Sequence, residues 1–315
     1  MTLPPSQLLY GCMGLGGEWS PGPVTANAID QAAAAVDAAL SIGVSVFDHA
    51  DIYRFGKAER AFGEVLKRSP GLRERIEIQT KCGIRLEPDH APYDLDRASI
   101  VTRVDDSLAR LGVDYVDTLL LHRPDPLLEP AEVAVAVAAL HAAGKIRRLG
   151  VSNMSGQQIA FLQREIDLPI VVNQLELSLL RHDWVDSTVL VNHPDAAANT
   201  FVHGTLEYCG SNNVRLQAWG ALAQGRYSGA PVAARTAAEV AASALVQQLA
   251  EAKNTTREAI VLGWLMRHPA NIDPVLGSTD PHRIAACADA GNQAAIMTRD
   301  EWFALYVAAR GRPLP

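Results

Sequence analysis

The sequence predicts an α/β protein built as a (β/α)8 TIM barrel, and three observations carry that expectation. Short runs of β-branched and apolar residues alternate with Ala-rich, helix-favouring stretches along all 315 residues. The apolar runs number about eight, the strand count of such a barrel, and eight strand–helix units take on the order of 250 residues. No Ser/Gly linker, charge block or low-complexity tract divides the chain, so residues 1–315 read as a single domain. Alternation of this kind forces parallel strands with right-handed crossovers. A doubly wound open sheet is the alternative, because periodicity does not distinguish an open parallel sheet from a closed one.

The elements follow in order. LLYGCMG near Leu8 opens the series. The glycines of GCMGLGGEW do not form a dinucleotide fingerprint, since the third would fall on Trp19, and they are assigned to a turn. QAAAAVDAAL reads as the first helix, and VSVFDHA from Val44, IEIQTK from Ile76 and VDTLLLH from Val116 as the next strands. A helix is expected from Ala131 to Ala143, ended by Gly144 in the left-handed position, with Lys145 near the negative end of the helix dipole. IRRLGVSN from Ile146 and IVVNQLE from Ile170 are strands again. The passage between His182 and Asn213 is too long for a simple loop and helix, and residues 184–200 are assigned to an inserted loop. VRLQAWG from Val214 and IDPVLGS from Ile272 complete the strands. The tail reads as an amphipathic C-terminal helix, N-capped by Thr298 with Glu301 completing a capping box.

Composition narrows the function classes. With 48% apolar and 20% charged residues the chain is neither disordered nor collagen-like. A formal charge of −7, with no basic stripe, argues against nucleic acid or an anionic membrane as partner. Cys12, Cys82, Cys209 and Cys287 form no C-x-x-C pair and read as buried thiols. MTLPPSQLLYGCMG lacks the pattern of a signal peptide, and no apolar stretch is long enough to span a bilayer, so a cytoplasmic protein is expected.

The chemistry lies at the carboxyl ends of the strands, the face that holds active sites in parallel barrels. Asp48 ends VSVFD, Tyr53 follows in DIY, Lys81 ends IEIQTK and His122 ends DTLLLH. Each alone has an ordinary structural reading as a turn residue, a packed ring, a surface charge or a core histidine. Their joint placement on consecutive strands points to one pocket. A phenol with a pKa of about 10 needs a neighbouring cation to become a useful acid near neutrality. Lys81 supplies it in this reading, Asp48 keeps Lys81 charged, and His122 positions a carbonyl oxygen. A metal centre built from DHAD with His122 and His203 is rejected, because Asp48 and His49 are adjacent on a strand and face opposite ways.

These residues resemble the aldo-keto reductases, whose Asp, Tyr, Lys, His tetrad falls at the same strand ends. FDHADIYRFGKAERAFGEVLK, which includes Glu59, is similar to the family's Asp-to-Tyr signature, and LLLHRPDP to its His strand. The likeness runs from about Leu9 to Arg283 and implies a set of cofactor contacts. Ser152 and Asn153 of GKIRRLGVSN, with Gln174 of VVNQLE, would bind the nicotinamide amide. Trp219 would stack on the nicotinamide, and Gly220, Ala221, Leu222, Gln224 and Gly225 would wrap the pyrophosphate. Gly277, Ser278, Thr279 and Arg283 of VLGSTDPHRI match the 2′-phosphate segment, while Gly14 and Asp48 border the cofactor.

The resemblance therefore implies NADPH-dependent reduction of a small aldehyde or ketone to an alcohol, with hydride from the nicotinamide and the proton from Tyr53. NADH would serve less well, and the family tendency is monomer or dimer. The alternative is an NADPH-binding regulatory or redox-sensing barrel with little turnover. The sequence departs from the family pattern in three places. Gly277 stands where many relatives carry Lys. Ala286 and Cys287 stand where some carry Glu and Asn. Arg54 and Phe55 replace small residues before Gly56. Trp19, Phe55 and Trp184 fall on loops expected at the catalytic face, where they either line an apolar or aromatic pocket or cover the barrel rim.

Overall fold

A strand buried on both faces reads as an unbroken apolar run and needs helices on its outer side. All six residues of Val116–Leu121 are buried, and Leu119, Leu120 and Leu121 within it form such a run. The computed structural model describes residues 5–87, 90–232 and 235–315. Its strands are β1 (Leu9–Gly11), β2 (Val46–Asp48), β3 (Glu77–Cys82), β4 (Val116–Leu121), β5 (Ile146–Ser152), β6 (Ile170–Glu176), β7 (Arg215–Trp219) and β8 (Asp273–Leu276). They close into a barrel in sequence order. Each strand coincides with one of the apolar runs read from the sequence, β3 continuing past its run to Cys82. Register sets Asp48 beside Gln79 and Ser152 beside Gln174, so polar strand-end residues gather at one rim. The β5–β6 register shifts between Leu149 and Gly150. Gly150 is needed there, because a Cβ would come within 2.8 Å of the Val172 Cβ.

The chain forms two compact units. One holds Leu9–Gln174 and Gly277–Ile284; the other holds Leu175–Leu276 and Ala285–Pro315 with the described residues before Leu9. In the first unit, helices Ala26–Ser41, Lys57–Arg68, Arg97–Leu111, Pro130–Ala142 and Gly156–Gln163 follow successive strands. Their ends obey local chemistry. The Thr25 hydroxyl accepts from the Ala28 N–H, Ser155 and Gln158 form a capping box, and Gly144 is left-handed as its sequence position requires. At the far rim, Asp117 accepts from the Ile78 N–H at 2.9 Å and from Arg73 at 2.9 Å, tying β3 to β4.

In the second unit, the stretch 184–200 that sequence length assigned to a loop contains helix Asp183–Val189 and a short 3-10 turn, Pro194–Ala198. The helix forms because it has a face to bury. Trp184 is fully buried, edge-on to Trp264 at 5.5 Å and to His268 at 4.9 Å, so it is core and not pocket rim. Trp264 stacks on Trp302 with centroids 5.1 Å apart, and each indole N–H donates to the other residue's carbonyl. Asp186, on the same short helix, accepts from the Tyr306 hydroxyl at 2.5 Å and the Arg310 Nε at 3.0 Å, and lies 2.9 Å from the His182 Nδ1. Burial works against its ionisation, yet the bonds from His182 and Tyr306 hold its pKa down at about 2. Burial and the same bond push Tyr306 up.

Tyr306 and Arg310 belong to helix Arg299–Arg310, whose capping box of Thr298 and Glu301 is present as the sequence indicates. All four cysteines are buried thiols, Cys12 and Cys82 in the first unit and Cys209 and Cys287 in the second. No helix of the described residues is long and apolar enough to cross a membrane.

Candidate active site

Strand periodicity builds the site. Gln79 and Lys81 are two apart on β3 and share a face, and both reach Asp48 at the end of β2. The Gln79 amide donates to Asp48 Oδ1 at 2.5 Å. Lys81 Nζ donates to Asp48 Oδ1 at 2.8 Å and to Oδ2 at 2.7 Å, and also to the His49 carbonyl at 2.8 Å. Its remaining reach ends on the Tyr53 hydroxyl at 3.1 Å. Thr80, between the two, points the other way and donates to the buried Glu59, which also accepts from Arg110.

The backbone continues the ladder past the end of β2: the His49 N–H donates to the Gln79 carbonyl and the Asp51 N–H to the Lys81 carbonyl. That holds the turn which carries Tyr53, whose own N–H bonds the Ala50 carbonyl. His122 arrives from β4, its N–H on the Cys82 carbonyl, with its ring edge-on to Tyr53 at 6.0 Å. Asp48, Tyr53, Lys81 and His122 are thus brought together, all within the first unit. His49 faces outward against Phe62 at 4.6 Å, as strand alternation requires.

Electrostatics follow from burial and pairing. Desolvation alone would lower the Lys81 pKa, but the Asp48 carboxylate and then Tyr53 outweigh it and keep the ammonium charged. The Tyr53 ring is half-buried while its hydroxyl, tucked against Lys81, is desolvated. Desolvation raises the phenol more than Lys81 lowers it, and Asp48 adds to the rise. The expectation that Lys81 would bring the phenol below its ordinary value is therefore corrected, because sequence does not register the burial of the hydroxyl. His122 is held well below its usual pKa by desolvation, with Lys81 and Arg123 adding to the effect, and is neutral. Its Nδ1 is buried with no hydrogen-bond partner among the described residues. Burial likewise pushes Asp51 up to about 6 despite its 2.8 Å pair with Arg103.

The other candidate residues occupy two places. Ser152 Oγ and the Asn153 N–H both donate to the Gln174 carbonyl, and the Asn153 amide donates to Ser152 Oγ at 2.7 Å, so the ends of β5 and β6 present one polar cluster. Asn153 is left-handed, with φ of 59°, which turns the chain away directly after the strand. Gly14 lies in the turn after β1, and a Cβ there would come within 2.8 Å of Thr279. The Tyr10 hydroxyl donates to the Ser278 carbonyl at 3.0 Å and fixes that segment, with Gly277, Thr279 and Arg283 exposed beside it.

In the second unit Trp219 ends β7 and is half-buried. Gly220, Ala223, Gln224 and Gly225 after it are all left-handed, a tight turn closed by the Ala223 N–H on the Gly220 carbonyl and the Gly225 N–H on the Leu222 carbonyl. Ala221 is buried within the turn. Two partners escaped sequence reasoning. Gln79 was readable from its two-residue offset from Lys81. The Asp51–Arg103 pair had no sequence signal, since the residues lie 52 apart.

A model of the aldo/keto reductase family matches residues 7–302. The 6-dehydroglucose reductase of Agrobacterium fabrum is 35% identical over 318 residues, covering 98% of this chain and 95% of that protein. The 6-dehydroglucose reductase of Novosphingobium aromaticivorans is 38% identical over 290 residues, covering 90% and 87%. An aldo-keto reductase from Klebsiella pneumoniae, solved in complex with NADPH, superposes with a TM-score of 0.72 at 23% identity over 98% and 92% of the two chains, a likeness of fold.

Proposed function

This chain belongs to the aldo/keto reductase family of oxidoreductases, and from that premise we propose that it reduces a small aldehyde or ketone to the alcohol with NADPH, Tyr53 giving the proton. The observation that carries the reading is the Lys81 ammonium, which donates at once to the Asp48 carboxylate and the Tyr53 phenol.

NADPH, when bound, supplies the hydride that forms the new C–H bond at the carbonyl carbon and leaves as NADP+. The protein's part is at oxygen. Tyr53 is a neutral phenol at neutral pH, so its O–H is available, and it breaks as the C=O bond opens and the oxygen takes the proton. Lys81 then stabilises the phenolate left behind, and Asp48, with Gln79 behind it, keeps Lys81 charged and in place. The neutral His122 orients the carbonyl oxygen by a hydrogen bond without adding a second cation.

Several features suit the cofactor. The Gly14 cradle has no room for a side chain on its Thr279 side. Ser152, Asn153 and Gln174 offer an amide-binding cluster at a strand-end rim, with Asp48 on the same rim. Gly277, Ser278, Thr279 and Arg283 would hold the 2′-phosphate, a guanidinium being suited to phosphate geometry. This favours NADPH over NADH. For Trp219, Gly220, Ala221, Leu222, Gln224 and Gly225 the proposal keeps the nicotinamide and pyrophosphate roles that the resemblance implies. The two 6-dehydroglucose reductases among the relatives make a hydroxylated aldehyde the first substrate to try.

The test is NADPH oxidation, followed by nicotinamide absorbance, with Tyr53→Phe alongside the unchanged protein. Turnover is expected to fall by at least about a hundredfold, the scale of a lost general acid, with NADPH affinity nearly unchanged. Retained turnover would remove Tyr53 from the role of proton donor.

A further inference from the structure

Directly after Tyr53 the backbone does something costly. Arg54, Phe55 and Gly56 are consecutive left-handed residues with φ of 52°, 60° and 78°. Glycine takes that conformation freely, whereas residues with side chains adopt it only when their surroundings impose it. Two sets of contacts do so here. The Phe55, Gly56 and Lys57 N–H groups bond the carbonyls of Ile52, Tyr53 and Arg54. The side chains are braced against the turn after β1: Arg54 Nε donates to the Met13 carbonyl at 3.1 Å, the guanidinium lies 5.4 Å over the Trp19 ring, and Trp19 meets Phe55 edge-on at 6.2 Å.

The brace uses only one edge of the guanidinium. Among the described residues, Arg54 Nη1 and Nη2 have no hydrogen-bond partner and the group has no ion pair, while Trp19 and Met13 remain 44% and 53% exposed. A planar fork with two donor groups uncommitted, held by the Met13 carbonyl and over an indole, suits bidentate recognition of an oxyanion. It stands on the residue next to Tyr53. Trp19 and Phe55 add an apolar surface beside the guanidinium.

We propose that Arg54, braced on Trp19 and Met13, is the substrate-recognition residue of this site and binds a carboxylate or phosphate carried by the carbonyl substrate. The inference rests on the carbonyl-reduction reading and names its substrate class: an acidic aldehyde or ketone, such as a carboxylated aldehyde or a sugar phosphate.

Matched substrates test it. kcat/KM is measured for 4-carboxybenzaldehyde against benzaldehyde, and for glyceraldehyde 3-phosphate against glyceraldehyde, with the unchanged protein, Arg54→Ala and Arg54→Lys. The unchanged protein is expected to prefer the anionic member of at least one pair, the pair showing whether carboxylate or phosphate fits. In Arg54→Ala that preference falls by about tenfold or more, the scale of a lost charge-assisted pair, mainly through KM, and Arg54→Lys recovers part of it. The preference also shrinks with rising salt. No preference in the unchanged protein, or one that Arg54→Ala leaves intact, overturns the proposal.

Binding of benzoate and of glycerol 3-phosphate by calorimetry separates this from the reaction itself. Should no aldehyde be turned over while either anion binds the unchanged protein at least about tenfold more tightly than Arg54→Ala, the scale of a lost charge-assisted contact, the oxyanion site stands and the reduction reading fails. Where no aldehyde is turned over, equal binding of benzoate and of glycerol 3-phosphate to both proteins, or binding of neither to either protein, overturns the site.

Discussion

Two clusters in this molecule are built from nearly the same parts. In the first unit Asp48, Lys81, Tyr53 and His122 meet; in the second Asp186, Arg310, Tyr306 and His182 meet. Each has a buried carboxylate, a cation, a phenol and an imidazole. They differ in where the phenol's proton goes. The Tyr306 hydroxyl donates to Asp186 at 2.5 Å, so its proton is spent on holding helix Asp183–Val189 to helix Arg299–Arg310. The Tyr53 hydroxyl instead accepts from Lys81, and among the described residues no acceptor takes its proton. Composition alone does not set the two clusters apart; the direction of one hydrogen bond separates a phenol whose proton has no acceptor among the described residues from a clasp.

Substitutions sharpen that contrast. Tyr53→Phe is expected to remove about a hundredfold or more of turnover with little change in melting temperature, whereas Tyr306→Phe keeps turnover and lowers melting. Asp186→Asn strips Arg310 of its carboxylate and is expected to cost about 3 kcal/mol in denaturant unfolding, with kcat of the folded fraction unmoved. A catalytic loss in the Asp186 variant larger than in Tyr53→Phe would collapse the distinction.

Acid gives a smaller effect. Asp186 is depressed to about 2 when folded, so its stabilisation is complete above the ordinary carboxylate pKa near 4 and is lost as pH falls from about 4 through 2. Asp51 works in the opposite sense. Its folded pKa is raised to about 6, so its contribution is fully present below about 4 and is lost as pH rises through 6. Asp51→Asn should therefore flatten the stability profile between pH 4 and 6 in chemical denaturation, and an unchanged slope there would show that Asp51 does not titrate in that window. The smallest change is expected from His49→Leu. Among the described residues both ring nitrogens of His49 are buried without partners, and burial lowers its pKa to about 3, so the folded protein loses stability as pH falls from about 6.5 toward 3. Removing it should leave stability at pH 7 within about 1 kcal/mol and reduce that acid loss.

Much of this is legible in the order of residues alone. Strand alternation puts Asp48 inward and His49 outward, the capping residues mark helix ends at Gly144 and Thr298, and the tetrad residues stand out because they follow the ends of successive strands. What escapes depends on packing between distant segments. Trp184 sits in a passage whose length suggests a loop, and only burial against Trp264 and His268 makes that passage helical. The left-handed pair Arg54 and Phe55 runs against the backbone preference of both residues, so no local signal predicts it. The high pKa of Tyr53 reflects how deeply its hydroxyl is enclosed, which a residue order does not record.

The buried thiols turn the two units into separate clocks. Each unit carries two, Cys12 and Cys82 in one and Cys209 and Cys287 in the other, and all four are shut away from reagent in the folded chain. A thiol-modifying reagent added under native conditions therefore marks each pair only when its surroundings open. Reading the order in which the four are modified would time the loosening of one half of the molecule against the other, without a denaturant and without a substitution.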